Sequence, residues 1–159
     1  MTDSVKIYQA KILFPFAVLG IIIEEEWLTD IEYLPLDTPL LAPKNSLAKE
    51  VCNQLTAYLT EPSFTFDLNL HIGGTTHQRR VWNLIKNIPC GKTTSYAEIA
   101  KQLHSAPRAV GRACGANRLP IIIPCHRVIA KNGGLGGFMN ASEGNPLQIK
   151  KWLLQHENI

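Results

Sequence analysis

Ile121-Ile122-Ile123-Pro124-Cys125-His126-Arg127-Val128 sets a soft nucleophile beside a titratable base at the end of an apolar run. A free thiol titrates at about 8.5, and burial raises that value, so Cys125 needs a base to become the reactive thiolate. His126 is the nearest base in sequence. Neighbouring side chains on an extended chain point to opposite sides, so His126 would reach the thiol through a water rather than by contact. An imidazole acting this way needs a carboxylate to orient and polarise it, and Glu157, closing the last predicted helix, is the candidate. A lone Cys-His dipeptide more often holds a small buried hydrophobe than a nucleophile. The case for chemistry rests on what surrounds it.

Charge is segregated along the chain. Residues 1–78 hold four Lys/Arg against ten Asp/Glu, whereas residues 79–131 hold ten Lys/Arg against Glu98 alone; the rest balances. The segment carrying Cys125 is therefore built to meet a polyanion, although any single charge run is more commonly a solvated face. Cys52, Cys90, Cys114 and Cys125 show no paired spacing, so they read as reduced thiols with no metal site. No apolar run approaches the roughly 20 residues of a membrane span, and the N-terminus lacks the basic flank and apolar core of a secretory signal. These features point to the cytoplasm.

The elements that must position the site follow from periodicity. Val5–Ile7, Phe16–Ile23 and Trp27–Leu34 read as three strands of an antiparallel meander, with Glu24-Glu25-Glu26 as a solvated turn. Leu47, Val51, Leu55 and Leu59 form a helical stripe capped by Ser46, and Phe64 to Leu70 alternates like a half-buried strand. This is a βββαβ unit ending at Gly73-Gly74. Beyond it, Val81, Trp82, Ile85 and Ile88 mark a helix, and Ser95 with Glu98 forms a capping box for the next. Pro107 opens a further helix after a turn at His104-Ser105, giving a helix-turn-helix. In that second helix Val110, Ala113 and Cys114 share one face, while Arg108, Gly111, Arg112, Gly115 and Ala116 share the other. Arginines among residues without bulk let a helix lie against a nucleic-acid backbone; helix–helix packing is the competing use of the glycines. Leu119 to Ile123 reads as a short apolar strand delivering Cys125, and Asn117 could bridge helix and strand. Residues 132–138 form a glycine-rich loop, and Asn145-Pro146 opens the last helix.

Ile123-Pro124-Cys125-His126-Arg127-Val128 resembles the active-site signature of the O6-alkylguanine-DNA alkyltransferases, the methylated-DNA–protein-cysteine methyltransferases. The resemblance extends over most of residues 75–159, through Thr75-Thr76-His77-Gln78-Arg79, Ile88-Pro89-Cys90-Gly91, Ser95-Tyr96, Arg108-Ala109-Val110-Gly111, Ala116-Asn117 and Lys151-Trp152-Leu153-Leu154-Gln155-His156-Glu157. It implies an α+β fold: a ribonuclease-H-like βββαβ domain over residues 1–74, then a mostly helical catalytic domain over 75–159 with a winged-helix-like helix-turn-helix. It further implies stoichiometric, irreversible transfer of a methyl or other alkyl group from O6-alkylguanine, and from O4-alkylthymine, to Cys125. His126 and Glu157 would activate the thiol through water. The DNA-binding residues would be Arg108, Tyr96, Ala109, Gly111, Arg112 and Gly115, with Arg108 entering the stack where the flipped nucleotide was and the helix-turn-helix in the minor groove. Tyr96, Val128, Phe138 and Met139 would receive the base, and Asn117 would support the site. Extrusion is required because a thiol cannot reach the alkylated oxygen inside a stacked duplex. The partner implied is double-stranded DNA bound by a monomer, with no cofactor, metal, membrane or obligate protein partner. Phe138 stands where the family usually has Tyr, and the link from Met139 to Asn145 is longer than usual; both bear on the range of alkyl groups. Alternatives are an alkylated-DNA-binding protein without efficient transfer, a DNA-binding regulator, and a cysteine hydrolase.

Overall fold

A computed structural model describes residues 7–130 and 145–159. The chain divides into two compact units, Met1–Ile72 and Gly73–Ile159. Gly73 and Gly74 both take left-handed backbone (φ 62° and 80°), and a Cβ at Gly74 would lie 2.7 Å from the Trp82 ring. Glycine is therefore required at this junction for conformation and for space.

In the first unit, strands β1 (Ala10–Leu13), β2 (Val18–Glu24) and β3 (Trp27–Leu34) form an antiparallel meander in that order. Of the expected first strand at Val5–Ile7, Val5 and Lys6 lie outside the described residues and Ile7 is not in a strand; the first described strand is β1. The turn fixes the placement, because Phe14 N–H donates to Ala17 O at 2.8 Å and pairs Leu13 with Val18 directly before it. Glu25 takes φ 57° in the tight, exposed turn from β2 to β3. Helix α1 (Ser46–Thr60) packs Ala48, Val51, Leu55 and Tyr58 into the core. Its cap is Asn45, whose Oδ1 accepts from Ala48 N at 2.8 Å, and not Ser46, which is already helical. Phe64–Leu70 does not form the expected strand. The buried Gln54 side chain donates to Asp67 O and accepts from Asp67 N, both at 2.9 Å, so the backbone groups that a ladder would use are taken by a side chain. Pairing survives only as an isolated bridge between Leu70 and Leu28.

The second unit holds α2 (Thr76–Lys86), β4 (Thr94–Ser95), α3 (Tyr96–Leu103), α4 (Pro107–Gly115), a 3-10 turn (Cys125–Arg127), β5 (Val128–Ile129) and α5 (Asn145–His156). Thr75 and Gln78 form a complete capping box on α2. At α3, Ser95 Oγ accepts from Glu98 N at 3.0 Å, the forward half of the expected box. Helix α3 ends with His104 left-handed at φ 53° and Ser105 N–H donating to Ala100 O at 2.8 Å, a Schellman closure. Pro107 starts α4 where its missing N–H costs nothing, and α4 packs against α3. His77 on α2 holds the turn through Ser105 Oγ at 2.9 Å. Short β4 and β5 pair in parallel, Thr94 with Val128 and Ser95 with Ile129, joining the start of α3 to the residues after Cys125. Among the described residues no helix is long and apolar enough to cross a membrane.

Candidate active site

The expected strand from Leu119 to Ile123 is instead a closed turn. Ile123 N–H donates to Leu119 O at 2.9 Å, and Ile121 sits at φ 75°, a left-handed conformation costly for a β-branched residue. Five consecutive buried residues, Leu119 to Ile123, carry no alternation that would separate a strand from a buried turn. Pro124 (φ −81°, ψ 64°) then makes an inverse γ-turn, with Cys125 N–H donating to Ile123 O at 2.8 Å. Cys125 therefore opens a 3-10 turn rather than ending a strand.

Asn117 ties this loop together. Its Nδ2 donates to Ile123 O at 2.9 Å and to Cys125 Sγ at 3.3 Å, while its Oδ1 accepts from Leu119 N at 2.9 Å. One side chain thus holds both ends of the turn and places a donor on the sulfur.

Behind the thiol, His126 is fully buried and its Nε2 lies 2.7 Å from Glu157 Oε2. Arg127 closes on the same carboxylate, Nε to Oε1 at 2.7 Å and Nη2 to Oε2 at 3.1 Å, and its Nη1 donates to Ile88 O at 2.7 Å. With guanidinium donors on both oxygens Glu157 is held as a carboxylate, so His126 Nε2 carries the proton and Nδ1 the lone pair. Nδ1 is buried and, among the described residues, has no hydrogen-bond partner. Burial holds the His126 pKa below its ordinary value, against the opposing pull of Glu157, which keeps the ring neutral and basic.

Cys125 is 2% exposed. The neighbouring Cys114 thiol and burial push its pKa up, while Asn117 and Lys150 pull it down. Lys150 and Cys114 had no assigned part in the chemistry on sequence grounds. Lys150 is fully buried on α5 and donates to Val128 O at 2.8 Å and Tyr96 Oη at 3.2 Å, with its ammonium 5.5 Å from the Tyr96 ring centroid. Burial lowers its pKa to about 8. Burial also raises that of Tyr96, which stays a phenol. A signal for Lys150 existed: with Ile149, Leu153, Leu154 and Glu157 it falls on the buried face of α5, where a charged residue must have a partner.

On α4, Val110, Ala113 and Cys114 are buried, with Ala113 O accepting from Trp82 Nε1 at 2.8 Å. Arg108 and Arg112 are exposed, and Ala109, Gly111 and Gly115 are half-buried. A Cβ built on Gly111 would meet nothing within 4 Å among the described residues, so no packing among them requires glycine there. The structure thus brings Cys125, His126, Glu157, Asn117, Tyr96 and Val128 into one cluster and leaves the two arginines on the outer face of α4. Phe138 and Met139 lie outside the described residues.

A buried thiol backed by an imidazole, a carboxylate and a guanidinium, following a basic helix-turn-helix, defines a cysteine-nucleophile site. Residues 76–159 match the family model of the 6-O-methylguanine DNA methyltransferase DNA-binding domain. A methylated-DNA–protein-cysteine methyltransferase of Methanosarcina mazei is 46% identical over 69% of this chain and 67% of its own. The constitutive enzyme of that name from Bacillus subtilis is 42% identical over 77% and 69%. The crystal structure of Mycobacterium tuberculosis OGT in complex with DNA superposes with a TM-score of 0.79 at 36% identity, covering 92% of this chain and 90% of that one. The chain belongs to the 6-O-methylguanine DNA methyltransferase family.

Proposed function

We infer that this chain repairs O6-alkylguanine in double-stranded DNA by moving the alkyl group onto Cys125, as a methylated-DNA–protein-cysteine methyltransferase that acts once. The observation that carries the reading is the bonding around the thiol: Asn117 on Sγ, and a neutral His126 whose Nε2–H is committed to Glu157, leaving Nδ1 as the acceptor. Nδ1 takes the Cys125 proton through a water. Sγ then attacks the alkyl carbon, the bond from that carbon to the guanine oxygen breaks, and guanine leaves. The product is a thioether, which water does not hydrolyse under cellular conditions, so one chain removes one lesion.

The base must leave the stack to reach a thiol so deeply buried. Arg108 and Arg112 are exposed on the α4 face that carries Ala109, Gly111 and Gly115, which suits minor-groove approach, Arg108 filling the stack behind the extruded nucleotide. Tyr96 and the backbone of Val128 meet the base. Lys150 donates to Tyr96 Oη, which sets the phenol as donor toward a base placed on it, and its charge favours the Cys125 thiolate. The reading extends to O4-alkylthymine, to a ribonuclease-H-like first unit and winged-helix-like second unit, and to a cytoplasmic monomer. The three-stranded meander with α1 supports the former, and the α3–α4 turn with the β4–β5 pair supports the latter.

The test is incubation with a duplex carrying one O6-methylguanine, followed by peptide mass mapping. One methyl per chain on Cys125 is expected, and none with Cys125→Ala. Repeated turnover with Cys125 unmodified would overturn the reading in favour of a hydrolase, and tight binding without transfer would leave only damage recognition.

A further inference from the structure

Arg127 follows the base in sequence, yet its side chain bonds to two distant parts of the second unit. Nε and Nη2 take the two oxygens of Glu157 at 2.7 and 3.1 Å, and Nη1 donates to Ile88 O at 2.7 Å. One edge of the guanidinium thus makes a fork on the carboxylate beyond α5, while Nη1 is anchored on the backbone beyond α2. The Arg127 side chain is 11% exposed and that of Glu157 fully buried, so solvent and salt screen the pair little. The loop after α2 lies close by: a Cβ on Gly91 would come 4.0 Å from Glu157 O, and the Cys90 thiol has Glu157 and Arg127 as its charged neighbours.

We propose that Arg127 is a positioning residue for thiol activation: anchored on Ile88 O, it fixes the plane and the charge of the Glu157 carboxylate, and through them the tautomer and aim of His126. This deepens the alkyl-transfer reading and rests on it. A carboxylate bonded to the imidazole alone can turn about its last torsion and offer either oxygen. The fork selects one plane, in which Oε2 meets both Arg127 Nη2 and His126 Nε2. With Oε2 fixed as an acceptor the imidazole proton stays on Nε2, and Nδ1 keeps its lone pair. The bond to Ile88 O is what makes the fork a support, because a guanidinium without an anchor would move with the carboxylate it should hold.

The same guanidinium acts on the base through its charge. Burial is the main cause holding the His126 pKa down; Arg127 and Lys150 add to it, and Glu157 opposes them. Among the described residues the charged and titratable groups facing this cluster are therefore Lys150 on α5 and Cys90 on the loop after α2. Neutralising Arg127 removes a repulsion from the imidazolium and a counter-ion from the buried carboxylate, so both His126 and Glu157 take protons more readily. Both changes move the acid limb of transfer to higher pH. Neutralising Glu157 moves it to lower pH, so the sign of the shift separates the two residues.

Arg127→Gln and Arg127→Lys are compared with the wild type across a pH series in two measurements. One is single-turnover methyl transfer; the other is nitrogen NMR of the His126 ring, which reports tautomer and protonation without DNA. Arg127→Gln should slow transfer by about tenfold or more at neutral pH, raise the acid limb, and populate the Nδ1–H tautomer beside Nε2–H. Arg127→Lys returns the charge without the fork, so its acid limb should move back towards the wild-type position while its rate stays low. Should Arg127→Gln fold poorly, Arg127→Lys carries the test, since it keeps a cation beside Glu157. A folded Arg127→Gln with the wild-type tautomer and an unmoved acid limb would overturn the proposal, and so would the full wild-type rate in Arg127→Lys. The ring spectra are read whether or not the protein repairs DNA, so failure of this proposal is distinguishable from failure of the repair reading.

Discussion

Glu157→Gln is the most informative single change, because it removes a charge while keeping shape. Glu157 Oε2 accepts from His126 Nε2 and Arg127 Nη2, and Oε1 accepts from Arg127 Nε. An amide offers one acceptor oxygen and one NH2, so one of these positions must turn from acceptor to donor. With NH2 toward His126, the imidazole has to accept at Nε2 and move its proton to Nδ1, which destroys the base facing the thiol. With NH2 in the Oε1 position, two donors face each other at Arg127 Nε, and the guanidinium keeps only Nη2 on the amide oxygen and Nη1 on Ile88 O. Either way a charge-assisted bond worth about 1.5–3 kcal/mol is lost. At about 1.4 kcal/mol per factor of ten, transfer should slow by about 10- to 150-fold. Duplex affinity should hold, because Arg108 and Arg112 are not part of this network. The pH profile carries a second signature. Wild-type transfer falls as the pH drops through the depressed His126 pKa, and since Glu157 is what pulls that pKa upward, the acid limb should move lower still in the variant. Single-turnover transfer of labelled methyl across a pH series measures both effects, below the melting temperature of either protein. A folded variant with a rate within about twofold of wild type and an unmoved acid limb would refute the relay.

Lys150→Met should slow transfer by about tenfold or more with little change in duplex affinity, since it removes the cation favouring the thiolate. It should also alter stability against pH. The folded Lys150 pKa is lowered to about 8 from 10.5, so the unfolded chain holds more protons in that window and the Lys150 contribution to stability rises with pH through it; denaturant melts of the two proteins between these pH values should differ in slope with that sign. Gly111→Ala separates the two uses of that glycine: with nothing within 4 Å of the new methyl, the folded protein should gain about 0.5–1 kcal/mol, whereas affinity for duplex should fall. Thermal melts and fluorescence anisotropy read the two effects, and unchanged affinity would remove Gly111 from the DNA surface.

The helices were legible in the sequence because their signals are local: Pro107 at the start of α4, Ser95 ahead of α3, and the stripe of α1. The extended segments were harder. Phe64–Leu70 alternates like a strand, yet Gln54 takes its Asp67 backbone groups, and no local pattern reveals a side chain thirteen residues away. Leu119–Ile123 is wholly apolar, so periodicity could not separate a strand from a buried turn, and its placement depends on Asn117 bonding both ends.

The site divides along the same line. The pairing of His126 with Glu157 was legible because the chemistry proposed for Cys125 calls for it. Lys150 and the Arg127 clamp were not, because each depends on how α5 lies against the Cys125 turn. Yet α5 holds the clue in its own composition. Lys150 and Glu157 are seven residues apart, two helical turns, on the face that buries Ile149, Leu153 and Leu154. Burying two opposite charges on an apolar face without pairing them to each other is costly. Here each is committed to a separate partner on the Cys125 turn: Glu157 to His126 and Arg127, Lys150 to Val128 O and, beyond that turn, to Tyr96. The folding cost of these charges is thus offset by the contacts that hold His126, Arg127 and Val128 in place. Two buried ionisable residues seven apart, on and just past an apolar helix face, are the pattern by which such a site can be sought in other chains.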